Sequence, residues 1–447
     1  MFLSSIFRNK VRIVITVAFD QETLLIPCPD GSKAVEWLIG EAESKAELLF
    51  GGKVKIKHLI LDGLILHPKD LIADIDTSGN AISAVVQAFE QTSMVKIYKN
   101  TCARLDILVD PMVLELLEEA MKSGDASLAA LGFETKTLKP VALALNLGIL
   151  NHLDLSQNML SDASLSLFSI TPTPALLPHL SRLDLFSNRI TAKGLMTFLE
   201  GLDVPALQEL DMSYNPLGVG ALELLADCVM RFARLDKLSM EYCNVSIDVE
   251  EAAVGTGANL SLNLANNKSI SPTGVGDLIK LLVHIPRIEV LDLSRLQRSA
   301  GWGEIGSLSR LLHLKELNLQ NSDIGPEGAK AVGILLKRSL YLAKLDLAYC
   351  ELNFEACVSI ADGLMLNKTL TSLNLRGNPL ISKHGSNVIA DALHANPGSL
   401  LKDINLAACG IDDLNGVVPT VDLSHNGPVG SVENLNTIAV GMKYLKC

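Results

Sequence analysis

The chain has 447 residues, 48% of them apolar, and its 50 acidic against 38 basic side chains leave a formal charge of −12. This is length enough for two folded domains. The acidic balance argues against a large phosphate-binding surface, which needs clustered Lys and Arg, and so against direct nucleic-acid binding. No run of eighteen apolar residues occurs, so no membrane span or membrane partner is expected. Eight cysteines without a CxxC pair point to a reducing compartment.

Residues 1–91 read as one domain. Val11–Phe19 is apolar but interrupted by Arg12, with no small-residue cleavage site after it, so it reads as a strand and not as a signal peptide. A turn at Asp20-Gln21-Glu22, a strand Thr23–Cys28 and a Pro29-Asp30-Gly31 turn follow. The spacing of Ala34, Val35, Leu38, Ile39 and Ala42 predicts an amphipathic helix from Ser32, its N-cap, to about Leu49. Strands are expected at Val54–Leu61, at Leu64–Leu66 after an Asp62-Gly63 turn, and at Ala81–Phe89. The order ββαββ is that of a ubiquitin-like β-grasp domain. Lys53, Lys55 and Lys57 alternate along one strand beside His58; they suit an acidic partner, although a solvated strand face explains them more simply.

Residues 92–127 form a helical bridge, with helical spacing over Met112–Met121, and Ser127–Phe133 opens a capping repeat. From residue 128 to 447 one pattern recurs, Leu-x-Leu-x-x-Asn/Cys. Copies stand at Leu153, Leu183, Leu210, Leu238, Leu262, Leu291, Leu317, Leu345, Leu373, Ile404 and, cut short, Val421. About eleven repeats with room for a strand, a turn and a helix each predict a ribonuclease-inhibitor-like leucine-rich repeat horseshoe of α/β class. The two leucines point inward because side chains alternate along a strand. The Asn or Cys satisfies turn backbone that would otherwise be buried unpaired. Cys243, Cys350 and Cys409 occupy that position. Helical spacing is expected at Gly220–Met230, Glu327–Leu336 and Val388–Leu393.

Such arrays bind macromolecules, and the residue between the leucines faces the concave side. Asp154, Asp184, Asp211, Asp292, Asp346 and Asp422 fill it, with Glu209, Glu241, Glu316 and Asp403 nearby. Like charges a strand spacing apart repel, and a basic partner would relieve them. Leu-Asp-Leu is also common in this repeat type, and Asn263, Asn318, Asn374 and Asn405 dilute the repulsion. Tyr214, Tyr242 and Tyr349 precede the Asn/Cys position and could line the rim, where tyrosine favours binding. Packing against the next turn is their plainer explanation.

Gly301-Trp302-Gly303-Glu304-Ile305-Gly306 matches GxGxxG, but it falls in a strand-to-helix turn of a repeat and not in a dinucleotide-binding unit. An exposed Trp302 on that irregular copy is expected as a contact point. No HExxH, Walker A, GxSxG or Cys/His metal spacing occurs, so no enzyme activity, metal or cofactor is expected.

The chain resembles the C-terminal half of the Tonsoku family. The resemblance is carried by Leu24-Leu-Ile-Pro-Cys-Pro29, Ala34-Val-Glu-Trp-Leu38 and His67-Pro-Lys-Asp-Leu-Ile-Ala-Asp74, and in the repeats by Lys344–Leu352 and Leu373–Leu380. It implies a nuclear, non-enzymatic scaffold for replication forks, recombinational DNA repair and chromatin inheritance. The implied partner of the array is a methyl-methanesulfonate-sensitivity repair protein. Family members engage histones through N-terminal helical or ankyrin repeats; the chain starts at the β-grasp domain, so histone binding is not expected from this portion. It reads as a fragment or an incomplete gene model. The alternative is a cytosolic regulator with ribonuclease-inhibitor-type repeats, such as a Ran GTPase activator, which needs an acidic tail after the array.

Overall fold

The computed structural model describes residues 9–17, 20–28, 33–50, 52–75, 81–91, 93–145, 149–168, 175–176, 179–218, 220–245, 258–271, 273–296, 300–411 and 421–422. They fall into two compact units, residues 1–180 with 194–204, and residues 181–193 with 205–447.

The first unit opens on β1 (Asn9–Val17), β2 (Asp20–Cys28), α1 (Val35–Phe50), β3 (Gly52–Leu61), β4 (Leu64–Ile65) and β5 (Ile82–Gln91). The sheet order is β2-β1-β5-β3-β4, with β1 and β5 parallel in its middle. Val11, Ile13 and Ile15 alternate inward on β1, as Leu24, Ile26 and Cys28 do on β2. Val35, Leu38, Ala42 and Ala46 turn one face of α1 onto the same core. Asp20, Gln21 and Glu22 are not a turn: they pair with Val17, Thr16 and Ile15, so the hairpin is tighter than expected. Ser32 and the Pro29–Gly31 turn lie outside the described residues.

Asp62 and Gly63 both take positive φ, 50° and 81°, as a two-residue hairpin turn requires. The β3–β5 register slips at Lys57, between Ile56↔Val86 and His58↔Val85. That bulge sends Leu59 and Leu61 inward and leaves Lys53, Lys55 and Lys57 all exposed.

Beyond this sheet stand α2 (Met94–Leu105) and α3 (Pro111–Ser123). Asp110 caps α3 by accepting from the Met112 amide, and Gly124 closes it at φ 80°. The helical spacing read at Met112–Met121 lies within α3. Next come β6 (Asp125–Ser127), α4 (Thr135–Ala144) and β7 (His152–Asp154), with β6 and β7 parallel. The unit also holds α5 (Asp162–Leu165), most of α6 (Ala192–Glu200), and a short pair of β8 (Ala175–Leu176) with β10 (Leu202–Asp203).

In the second unit ten strands lie parallel in chain order. They are β9 (Arg182–Asp184), β11 (Glu209–Asp211), β12 (Lys237–Ser239), β13 (Leu260–Asn263), β14 (Ile288–Asp292), β15 (Glu316–Asn318), β16 (Lys344–Asp346), β17 (Ser372–Asn374), β18 (Asp403–Asn405) and β19 (Val421–Asp422). Leucine meets leucine across neighbours, as in Leu317↔Leu345↔Leu373. These leucines are buried, each worth about 1.5–3 kcal/mol against exposure. Behind them run α7 (Ala221–Arg231), α8 (Gly274–Leu282), a 3-10 helix (Ala300–Arg310), α9 (Gly325–Arg338), α10 (Phe354–Leu364) and α11 (Ser382–His394).

Trp302 is wholly buried, which corrects its expected exposure. It lies on the 3-10 helix and packs against α9, its Cβ 2.9 Å from where a Cβ on Gly328 would fall. The paper match to GxGxxG is thus helix-packing glycine: Gly301 lies against Gly276 and Gly306 against Ile334.

The asparagine position binds turn to turn. Asn378 Nδ2 donates to the carbonyls of Leu347 (2.9 Å) and Leu375 (2.7 Å), while its Oδ1 accepts from the amides of Cys350 and Leu352. Asn215 and Asn267 repeat this geometry. Where cysteine replaces it, Cys243, Cys350 and Cys409 donate Sγ–H to Met212, Leu319 and Leu375 carbonyls. Burial holds the Cys243 and Cys350 thiols near pKa 12 and that of Cys409 near 11, so they stay protonated donors at neutral pH.

Candidate protein-interaction face

The face of the second unit's sheet turned away from the helices carries three rows of side chains. In the middle row, between the leucines, stand Asp184, Asp211, Ser239, Asn263, Asp292, Asn318, Asp346, Asn374 and Asn405. Each Asp or Asn there folds one oxygen back on the amide two residues ahead. Asp184 accepts from Phe186, Asp211 from Ser213, Asp292 from Ser294 and Asp346 from Ala348, all at 2.8–2.9 Å. The carboxylate therefore closes the turn that ends the strand, and its second oxygen faces outward.

Those second oxygens are used differently along the sheet. Asp292 and Asp346 accept from Asn318 Nδ2 (2.9 Å) and Asn374 Nδ2 (2.8 Å), so charge and amide alternate and the expected repulsion is largely removed. Asp184 and Asp211 instead stand directly opposite each other on paired strands. Along the row before the first leucine, Glu209 takes Arg182 at 3.2 Å and Lys237 at 3.8 Å, and Lys344 takes Glu316 at 2.7 Å. This outer row is close to neutral, so the face is less acidic than its Leu-Asp-Leu motifs suggest. The sheet dips into a broad trough over Asp292, Asn318, Asp346 and Asn374, and into a smaller one over Asp184, Glu209, Asp211 and Lys237.

The third row lies two residues past the second leucine, and its backbone is left-handed throughout: Ser187, Tyr214, Tyr242, Asn266, Arg295, Asn321, Tyr349, Gly377 and Ala408 have φ between 54° and 72°. That bend turns the chain inward to the Asn/Cys position and leaves this side chain pointing out. Tyr214 and Tyr242 are consequently 38% and 52% exposed and stack at 5.1 Å with planes 22° apart. Phe186 extends the stack, its ring centroid 4.9 Å from that of Tyr214. The Tyr214 hydroxyl reaches Glu241 Oε1 at 3.5 Å.

The residues singled out in the sequence thus separate. Asp184, Asp211, Tyr214, Glu241 and Tyr242 gather at one end of the second unit around an aromatic stack. Asp292 and Asp346 lie about 14 Å or more further along the sheet. Tyr349 stands apart, held by Arg376 Nε at 3.1 Å and lying over Gly377. Asp154 belongs to the first unit, where it accepts from the Ser156 amide. Asp422 is the last described residue, and no contact of its side chain is described. Phe186 escaped the sequence reading because it sits one residue earlier in its repeat than the tyrosines do. Among the described residues no His/Cys/Asp/Glu group is arranged to hold a metal, and no helix is long and apolar enough to cross a membrane.

Comparison with known proteins agrees with this architecture. A family model described as Leucine Rich repeat matches residues 177–199, 310–333 and 366–385. The Tonsoku-like protein of Mus musculus is 28% identical over 413 residues, covering 89% of this chain and 28% of its own length. That of Danio rerio is 25% identical over 415 residues, 88% of this chain and 27% of its own. The ribonuclease inhibitor of Sus scrofa is 28% identical over 217 residues, 46% of this chain and 47% of its own. The chain therefore spans little more than a quarter of the length of the Tonsoku-like relatives. The repeats support protein binding as what this array does. The likeness to Tonsoku-like proteins covers almost nine-tenths of the chain, which in this respect resembles the Tonsoku family.

Proposed function

We propose that this chain is a non-enzymatic, nuclear protein-interaction scaffold for replication-fork maintenance, recombinational DNA repair and chromatin inheritance. In this reading the sheet face of the array takes a repair partner of the methyl-methanesulfonate-sensitivity kind. The contact is centred on Phe186, Tyr214 and Tyr242 with Asp184, Asp211 and Glu241, and extends toward Asp292, Asp346 and Tyr349. The observation that carries the reading is the extent of the Tonsoku-like match, 89% of the chain. A cytosolic regulator of ribonuclease-inhibitor type is the weaker reading, because the likeness to ribonuclease inhibitor stops at 46%.

We take the first five strands and α1 as a ubiquitin-like β-grasp domain over residues 1–91. The order β2-β1-β5-β3-β4 around a single helix supports it. Residues 92–127 would then be the helical bridge and 128–447 the repeat array. Neither the nucleotide-like glycine motif nor any cofactor enters this function.

The test is purification of the tagged full chain from replicating nuclei, with and without fork stalling. Recovery of a fork-repair protein, increased by stalling, supports the scaffold. A purely cytosolic set of bound proteins, such as Ran and its regulators, would remove it.

A further inference from the structure

We propose that the helix-to-strand edge of the last repeats is a second docking surface, built for an acidic amphipathic segment of a partner protein. This edge consists of four consecutive connections, residues 310–315, 337–344, 365–371 and 395–402. Together they contain seven Lys or Arg and no Asp or Glu, a local reversal in a chain of charge −12. Lys315, Lys337 and Lys344 have acidic neighbours in Glu289, Asp362 and Glu316. Arg310, Arg338, Lys368 and Lys402 have no ion-pair partner among the described residues.

Set among these cations is an apolar row. Leu312, Leu340, Tyr341, Leu366 and Leu400 are each 53–66% exposed. One exposed leucine is ordinary, but leucines at successive repeats along one edge form a patch of the kind that marks interaction sites. Helix C-termini attract cations, which accounts for Lys337 and Arg338 at the end of α9. It does not account for the leucines.

The row is held stiffly. The Ala343 and Lys344 amides donate to the Lys315 carbonyl, the Thr371 amide to Ala343 and the Lys402 amide to Thr371. Asn367 Nδ2 donates to the Leu336 carbonyl at 2.8 Å and Asn396 Nδ2 to the Asn367 carbonyl at 2.6 Å. A partner laid along this edge meets a pre-ordered surface and loses little to ordering it.

Charge selects the occupant. Leucines flanked by cations fit a helix with an apolar stripe and Asp or Glu beside it. A nucleic acid fits less well, because its phosphate backbone would meet the cations but offers no apolar stripe to cover Leu312, Leu340, Leu366 and Leu400.

The test titrates the full chain with labelled helical peptides. One carries Leu and Phe on a single face with Glu elsewhere, one has Lys in place of Glu, and one has Ser in place of Leu and Phe. A short DNA duplex completes the set. The Glu peptide alone is expected to bind, more weakly at about 0.3 M salt than at 0.05 M. Leu340→Ser with Tyr341→Ser, and separately Arg338→Glu with Lys368→Glu, are each expected to weaken it about tenfold or more. Circular dichroism of both variants should match the parent. Equal binding of the Lys peptide, binding of DNA alone, no peptide binding up to about 1 mM, or a loss of self-association in place of peptide binding would overturn the proposal. It stands apart from the sheet-face reading, since Tyr214→Ala should leave peptide affinity unchanged.

Discussion

The Asp346 carboxylate has both oxygens engaged: Oδ1 accepts from the Ala348 amide at 2.9 Å and Oδ2 from Asn374 Nδ2 at 2.8 Å. One oxygen shapes the turn of its own repeat and the other ties the repeat to its neighbour. Asparagine at the next strand is therefore not an interchangeable polar residue. Asn374→Asp would replace a donor with a second carboxylate at hydrogen-bond distance. The expected cost is about 1–2 kcal/mol at pH 7. The new carboxyl's folded pKa would lie above its unfolded value, so the penalty grows above about pH 4 and disappears below it. Thermal unfolding of the variant and parent at pH 7 and pH 4 checks this, and an equal deficit at both would refute it.

Asn378→Ala removes a residue whose amide feeds the Leu347 and Leu375 carbonyls and whose oxygen serves two buried amides. With several buried groups left unpaired the loss should reach about 3–4 kcal/mol. Asn378→Cys should cost less, because Cys350 and Cys409 already serve this position in adjoining repeats by donating Sγ–H to the same kind of carbonyl. Urea unfolding of both variants gives the order, and a cysteine variant as unstable as the alanine one would contradict it.

How much of this was legible in the sequence depends on what each position does. Leu-x-Leu spacing reports burial directly, and every copy read from it is a strand, from Leu153 to Val421. The Asn/Cys position was legible for the same reason, since a polar residue at a fixed place in an apolar repeat must answer backbone. Trp302 misled because its repeat uses a 3-10 helix, and the packing of that helix against Gly328 of α9 is invisible until the backbone path is known. The bulge at Lys57 and the pairing of Asp20–Glu22 depend on register, which alternation alone does not fix. The middle-row Asp residues looked like free charge because a bond to an amide two residues on leaves no sequence mark distinct from repeat consensus. The left-handed bend at Tyr214 and Tyr242 was hidden likewise, and with it the stack that includes Phe186.

Close helix packing makes a third expectation. A Cβ on Gly333 would collide with the Ser359 carbonyl, and one on Gly363 would lie 2.7 Å from the Gly333 carbonyl. Both obstacles are backbone and cannot rotate away. Gly333→Ala should destabilise by about 1–3 kcal/mol despite alanine's better helix propensity. Calorimetry decides it, since a raised Tm would mean that the α9–α10 contact is looser than the structure has it.

Buried thiols set the alkaline limit. Burial raises Cys357 to about 12, as it does Cys243 and Cys350, and pushes Cys228 up as well. In the unfolded chain a thiol ionises near 8.5. With the folded pKa above the unfolded one, stability is complete below about pH 8 and falls as pH rises toward the folded value. Each thiol contributes a slope of up to about 1.4 kcal/mol per pH unit in that window. Under full reduction, Tm should hold from pH 7 to 8 and drop clearly by pH 9.5, with Cys357→Ala showing the shallower drop. A flat profile would mean that the thiols are reached by water.

The sheet face around Tyr214 and Tyr242 is the proposed landing site of the partner. The direct measurement is the affinity of the recovered repair partner for the purified chain and for its Tyr214→Ala/Tyr242→Ala variant, with unfolding followed in parallel. If these half-exposed tyrosines carry the contact, the affinity falls about thirtyfold or more with a nearly unchanged Tm. Undiminished affinity in a folded variant would contradict it and move the partner off this face.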